Sequence, residues 1–228
     1  MTQRSAQIES NLELVRERIQ RACDAAQREN DVQIVAVTKT YPASDVRILA
    51  DLGITAMGEN KDQEAREKAS ACADLEITWH FIGQLQRNKV NSVVRYAQVI
   101  ESVDRLALAQ ALARSNATLD VLLQVSLDPP GTPNRGGAAP GELGEIAEVV
   151  SLAPNLTLRG VMGVAPLGED PAVAFANLSR AHHELLAAHP GATWVSAGMS
   201  HDLVQAVAAG ATHVRIGSAL LGERSYAR

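Results

Sequence analysis

The chain has 228 residues, enough for one large domain or two small ones. Hydrophobic residues make up 46% and aromatics only 3%, which argues against disorder; an apolar mass of Ala, Val, Leu and Ile suits strands buried under a ring of helices better than an exposed sandwich. A formal net charge of -5 with no long same-sign block argues against a nucleic-acid binder, whose affinity comes largely from phosphate neutralisation.

The polar start, Met1 to Ser5, runs straight into a helical pattern, with neither a signal peptide nor a membrane span, so a cytoplasmic protein without membrane contact is expected. From about Gln7 to Glu29, Ile8, Leu12, Val15, Ile19 and Ala22 recur at spacings of three and four, which predicts a helix. Strand one is Gln33 to Thr38; a helix capped by Ser44 and stopped by Gly53 follows, with Val46, Leu49 and Ala50 inward. Strand two is Thr55 to Gly58, strand three Thr78 to Gly83 and strand four Val99 to Val103. After a helix from Arg105 to Arg114, strand five is Val121 to Val125. The Gly/Pro-rich stretch Pro129 to Gly141 reads as a loop, because strand-helix alternation resumes beyond it. Strand six is Leu158 to Val164, a helix spans Pro171 to Ala188, and strand seven is Thr193 to Ser196. A helix from Asp202 to Ala209 ends at Gly210, and strand eight is His213 to Gly217. Cys23 and Cys72 lie far apart in helix-like surroundings, which points to packing roles in a reducing compartment.

Eight strands alternating with helices fit a single-domain (β/α)8 TIM barrel over residues 1–228, with the extra N-terminal helix capping its bottom or packing beside it. An open doubly wound sheet gives a similar pattern, but no Gly-x-Gly-x-x-Gly follows the first strand. In a barrel, function collects at the C-terminal strand ends. There the sequence places Lys39, Gly58-Glu59-Asn60, His80, Met162, Ser196 to Ser200 and Arg215 to Ser218, with no cluster of carboxylates and no metal-ligand spacing.

Lys39 follows an apolar strand, so its stem begins in the barrel and its amine emerges at the mouth; partly dry surroundings lower a lysine pKa and favour Schiff-base chemistry. A snorkelling surface lysine is the plainer alternative. Ser196 to Ser200 is a small-residue turn entering a helix, and Gly217-Ser218 is a second such turn on the adjacent strand; together they form an expected phosphate site. Arg215 needs a buried acceptor, either a barrel carboxylate such as Glu101 or Glu59 or the ring nitrogen of a bound heterocycle. His80 alone reads more readily as a hydrogen-bonded core histidine, His182 and His183 as surface residues, and Met57 and Met162 as packing.

These residues resemble the pyridoxal 5′-phosphate (PLP) homeostasis proteins, which share the barrel of the alanine racemase N-terminal domain. The resemblance runs over almost the whole chain. It rests on Trp79-His80-Phe81-Ile82-Gly83-Gln84-Leu85-Gln86-Arg87-Asn88-Lys89, Ala36-Val37-Thr38-Lys39-Thr40, Gly58-Glu59-Asn60, Leu158-Arg159-Gly160-Val161-Met162, Ser196-Ala197-Gly198-Met199-Ser200 and Val214-Arg215-Ile216-Gly217-Ser218. It implies that PLP is held as a Schiff base on Lys39, that Ser196, Ser200, Gly217 and Ser218 hold the phosphate and that Arg215 faces the pyridine nitrogen. Asn60, His80, Met162 and Met199 are then expected around the pocket. Two places depart from the pattern. Lys61 follows Asn60 where relatives often carry an aromatic residue, and Asn134-Arg135-Gly136-Gly137 replaces the loop that commonly reads Ser-Gly-Lys-x-Gly.

Two functions compete: a monomeric, non-catalytic PLP carrier or regulator that can serve apo-PLP enzymes, and a PLP-dependent amino acid racemase. An arginine at the ring nitrogen weakens the electron sink but also occurs in racemases of this fold, so length is the deciding feature. An alanine racemase adds a β-rich second domain, which this chain is not expected to have, and the carrier is favoured. A phosphosugar barrel enzyme would use the phosphate turns but leave Lys39 without an aldehyde.

Overall fold

The computed structural model describes residues 2–129 and 136–222. Its eight strands form a closed barrel in chain order, every neighbouring pair parallel. They are β1 (Gln33–Val37), β2 (Ala56–Glu59), β3 (Thr78–Phe81), β4 (Val99–Val103), β5 (Leu119–Val125), β6 (Leu156–Gly163), β7 (Trp194–Ser196) and β8 (His213–Ile216). Closure is made by β1 and β8, where Gln33 lies opposite His213 and Ala36 opposite Ile216. The open doubly wound sheet is thereby excluded.

Helix α1 (Gln3–Ala25) starts where Thr2 Oγ1 accepts the Ser5 N–H, and it buries Ile8, Leu12, Val15, Ile19, Ala22 and Cys23. It packs beside the barrel against α2 (Ala43–Asp51), α8 (Leu203–Ala208) and α9 (Ser218–Leu221), not across its bottom. The expected cap of α2 is corrected: its N-cap is Pro42, and Ser44 already lies inside the first turn. The ring also holds α3 (Asp62–Ala71), the single-turn α4 (Val90–Val93), α5 (Leu106–Ala113), α6 (Leu143–Leu152) and α7 (Pro171–Ala188). Among the described residues no helix is long and apolar enough to cross a membrane.

Apolar side chains separate into two layers. A large cluster fills the space between sheet and helices, and a small one, Val99, Leu122 and Met162, lies on neighbouring strands of β4 to β6. Cys23 and Cys72 are buried and unbridged, as packing residues should be. His182 corrects its surface reading: it shares the inward face of α7 with Leu178 and Leu185, and its Nε2 donates to Ala192 O at 2.8 Å. Burial lowers its pKa; His183 next to it is exposed.

Candidate functional site at the C-terminal mouth

Chain direction in β1 decides where Lys39 goes. Side chains alternate across a strand, so Val37 and Lys39 share one side while Thr38 takes the other. Both Val37 and Lys39 border a cavity of about 420 Å³ at the mouth. Thr38 is fully buried and instead meets Glu59, its Oγ1 donating to Glu59 Oε1 at 2.6 Å. Lys39 is half-buried. Further lining of the cavity comes from Met199, Ser200 and Asp202 after β7 and from Arg215, Gly217 and Ser218 of β8 and the turn beyond it.

The register of β8 on β1 brings those turns next to the lysine. Gly217 lies so close to β1 that an added Cβ would sit 3.5 Å from the Val37 Cβ. Gly198 has φ +88°, and a Cβ there would fall 2.6 Å from the Ala206 Cβ. Only glycine allows this turn to pack on α8. Asp202 Oδ1 accepts the Met199 N–H at 2.6 Å, so the carboxylate holds the turn's shape. Among the described residues no group of the protein accepts the backbone N–H of Ser200, Gly217 or Ser218. These amides, with the Ser200 and Ser218 hydroxyls, form a donor set suited to an oxyanion. The helices that follow are short, so individual N–H groups matter here more than a helix dipole.

Arg215 is buried and reaches the cavity from the barrel interior. Its Nη1 donates to Ser196 Oγ at 2.7 Å and its Nη2 to Gly163 O at 2.8 Å. Ser196 Oγ in turn donates to Glu101 Oε2 at 2.6 Å, and Glu101 Oε1 pairs with His80 Nδ1 at 2.7 Å. β4 and β8 stand on opposite sides of the ring, so this chain of contacts must run through the lumen. Burial alone would raise the Glu101 carboxyl, but the His80 hydrogen bond and the charges of His80 and Arg215 outweigh it and hold the pKa at about 2. The carboxylate partner of Arg215 is therefore Glu101, at 3.8 Å. Glu59 is taken by Lys68, whose Nζ lies 2.5 Å from Glu59 Oε1.

Of the residues expected around the pocket, Lys39, Met199, Ser200, Arg215, Gly217 and Ser218 line the cavity together. Four do not. Ser196 is fully buried with its hydroxyl committed between Glu101 and Arg215, and His80 supports the same chain from β3. Met162 packs against Val99 and Leu122. Asn60 directly follows β2, its carbonyl so close to Gly83 that a Cβ there would be 2.3 Å away. The Asn134-Arg135 part of the departing loop lies outside the described residues. Gly136 and Gly137, at φ +90° and +111°, are packed on Gln84 and Ser126. Among the described residues no group of three or more His, Cys, Asp or Glu side chains is placed to hold a metal.

Sequence reasoning missed four contributors. Tyr41 lines the cavity and donates its hydroxyl to Gly222 O at 2.6 Å. Arg18 of α1 donates to the Ser200 carbonyl, bracing the β7 turn from outside. Lys68 and Glu64 of α3 contact the backbone on either side of Lys39. The Glu64–Lys68 spacing of four was the available signal for that pair.

Residues 8–225 match the family model described as alanine racemase, N-terminal domain. A pyridoxal phosphate homeostasis protein of Mycobacterium leprae is 39% identical, the match covering 96% of this chain and 93% of that protein. The protein of the same description from Pseudomonas aeruginosa is 41% identical, covering 96% of each. The solved structure of PipY from Synechococcus elongatus with PLP bound superposes with a TM-score of 0.82 at 34% identity, covering 95% of this chain and all of PipY. Barrel, mouth and sequence agree along the whole match: the chain belongs to the pyridoxal phosphate homeostasis protein family, built on the alanine racemase N-terminal domain.

Proposed function

We propose that this chain binds PLP at the mouth of the barrel, covalently through the Lys39 amine, and holds it for delivery to apo-PLP enzymes without robust turnover of its own. One observation carries this: an amine, a buried guanidinium and a set of N–H donors without an acceptor among the described residues border the same cavity. The donor set fits the group. PLP supplies an aldehyde that condenses with a primary amine, a phosphate dianion and an electron-withdrawing pyridine ring. The amides and hydroxyls of Ser200, Gly217 and Ser218 would hold the phosphate. Arg215, kept cationic beside Glu101, would face the ring nitrogen and keep it without a proton. A ring in that state stabilises carbanions weakly, which is compatible with storage but does not by itself separate a carrier from a racemase. The description shared by the curated relatives points the same way. We read the working form as a cytoplasmic monomer.

The test is spectroscopic. Protein mixed with PLP is expected to show a visible absorbance band, and borohydride reduction with peptide mapping should place the label on Lys39. Label on Lys61 or Lys89 would refute the assignment. Steady conversion of L- to D-alanine at ordinary enzyme rates would overturn the carrier reading in favour of a racemase. A transfer assay against an apo-PLP enzyme, compared with free PLP, tests delivery.

A further inference from the structure

The backbone around Lys39 is held in an unusual way. Thr40 has φ +71°, in the left-handed region that β-branched residues avoid. Such a conformation persists only where the surroundings over-determine it. Here they do so through side chains of α3. Glu64 Oε1 accepts the Thr40 N–H, and Lys68 Nζ donates to the Thr38 carbonyl at 2.7 Å. Lys68 Nζ also contacts Glu59 Oε1 at 2.5 Å and Glu64 Oε1 at 3.1 Å, so the same ammonium ties both clamps together. The Tyr41 N–H closes the turn on Thr38 O at 3.0 Å. Both peptide groups flanking Lys39 are thus fixed by one ion cluster, buried at Lys68 and Glu59 and partly exposed at Glu64, while the lysine itself borders the cavity.

We propose that Glu64 and Lys68 are positioning residues for Lys39: they lock the strained Thr38–Tyr41 turn so that the amine is presented to the aldehyde in one direction. The inference rests on the reading that Lys39 is the PLP-binding amine. It predicts an effect on covalent capture only, because the Glu64 and Lys68 contacts fall on Thr38, Thr40 and Glu59 and not on the phosphate turns after β7 and β8.

The experiment uses the full chain and two probes: PLP, followed by its visible band, and pyridoxine 5′-phosphate, which lacks the aldehyde, followed by its fluorescence. Glu64 is about 29% exposed, so substitution there should leave the fold intact. Glu64→Leu should weaken PLP binding about tenfold, the scale of loss expected from a misplaced reacting group. Affinity for pyridoxine 5′-phosphate should not change. Glu64→Gln, whose amide oxygen can still accept the Thr40 N–H, should restore PLP binding to within about twofold of wild type. Lys68→Met should behave like Glu64→Leu. If Glu64→Leu binds PLP as tightly as wild type, or loses both probes equally, the positioning role is wrong. If Lys39→Ala keeps the borohydride-stable label, the site reading itself fails, and the network is not at fault.

Discussion

At the residue scale, two positions show how local strain and pairing shape the mouth. Thr40 has a left-handed backbone beside the reactive lysine. Thr40→Gly removes about 1–3 kcal/mol of conformational strain and adds some unfolded-state entropy, so a net gain of roughly 0.5–1 kcal/mol is expected in urea denaturation. The visible PLP band should weaken at the same time. Ser196 bridges Glu101 and Arg215 with one hydroxyl. Ser196→Ala leaves two buried charged groups short of a partner and should cost about 1–3 kcal/mol, read as a lower denaturation midpoint at unchanged slope. Residues such as Lys39 and Gly217 were legible in sequence because a strand end fixes their place. The partner of Arg215 was not. Two carboxylates, Glu59 and Glu101, fitted the pattern equally, and only the packing of α3 shows that Lys68 claims the first. His182 was misread for a related reason: an imidazole can fill an apolar helix face once a single carbonyl satisfies its N–H.

At the scale of elements, the eight strands could be read because each is a short apolar run between turns, and their observed bounds differ from the expected ones by only a residue or two. The helix start at Ala43 was less legible, since Ser44 is a good cap by composition but the turn at Thr40 and Pro42 sets the entry instead. Two glycines show where elements meet too closely for any side chain. Gly160 of β6 has φ +153°, and a Cβ there would lie 1.8 Å from the Trp194 carbonyl oxygen of β7, beside the register shift between β5 and β6. Gly198→Ala at the β7 turn should be milder in volume but still strained by its φ. It is expected to lose at least about 1 kcal/mol of stability and to weaken phosphate-dependent binding, measured with pyridoxine 5′-phosphate. Arg18→Ala removes the brace on the Ser200 carbonyl. Because it acts on the same turn from outside, it should reduce affinity for that probe severalfold without shifting the PLP band.

Across the whole molecule, the lumen chain joins β3, β4, β6, β7 and β8 through His80, Glu101, Gly163, Ser196 and Arg215, so acid should attack the barrel from within. Glu101 is depressed to about 2 in the fold, below its unfolded value; its contribution is present above the unfolded pKa and is lost as pH falls toward 2. His213 is lowered to about 4, chiefly by burial, so the unfolded state takes up its proton first and stability falls between about pH 6.5 and 4. Each step is on the order of 3 kcal/mol. Urea midpoints should therefore drop in two stages on acidification, and His213→Asn should shrink the earlier one, to which buried His182 also contributes. A single drop confined to below pH 4 in the wild type would contradict this.

The side chains of α1, and of Arg28 just after it, reach far along the chain. Arg4 donates to Leu221 O, Asn11 to Leu220 O, Arg18 to Ser200 O and Arg28 to Ala211 O. Helix α1 thus has several of its polar partners in segments made roughly two hundred residues after it. It must wait, half-clothed, until translation of β7 and β8 is complete, and the anion-binding wall cannot mature before then. Removal of α1 should accordingly be felt some two hundred residues away, as slow or incomplete acquisition of ligand by nascent protein.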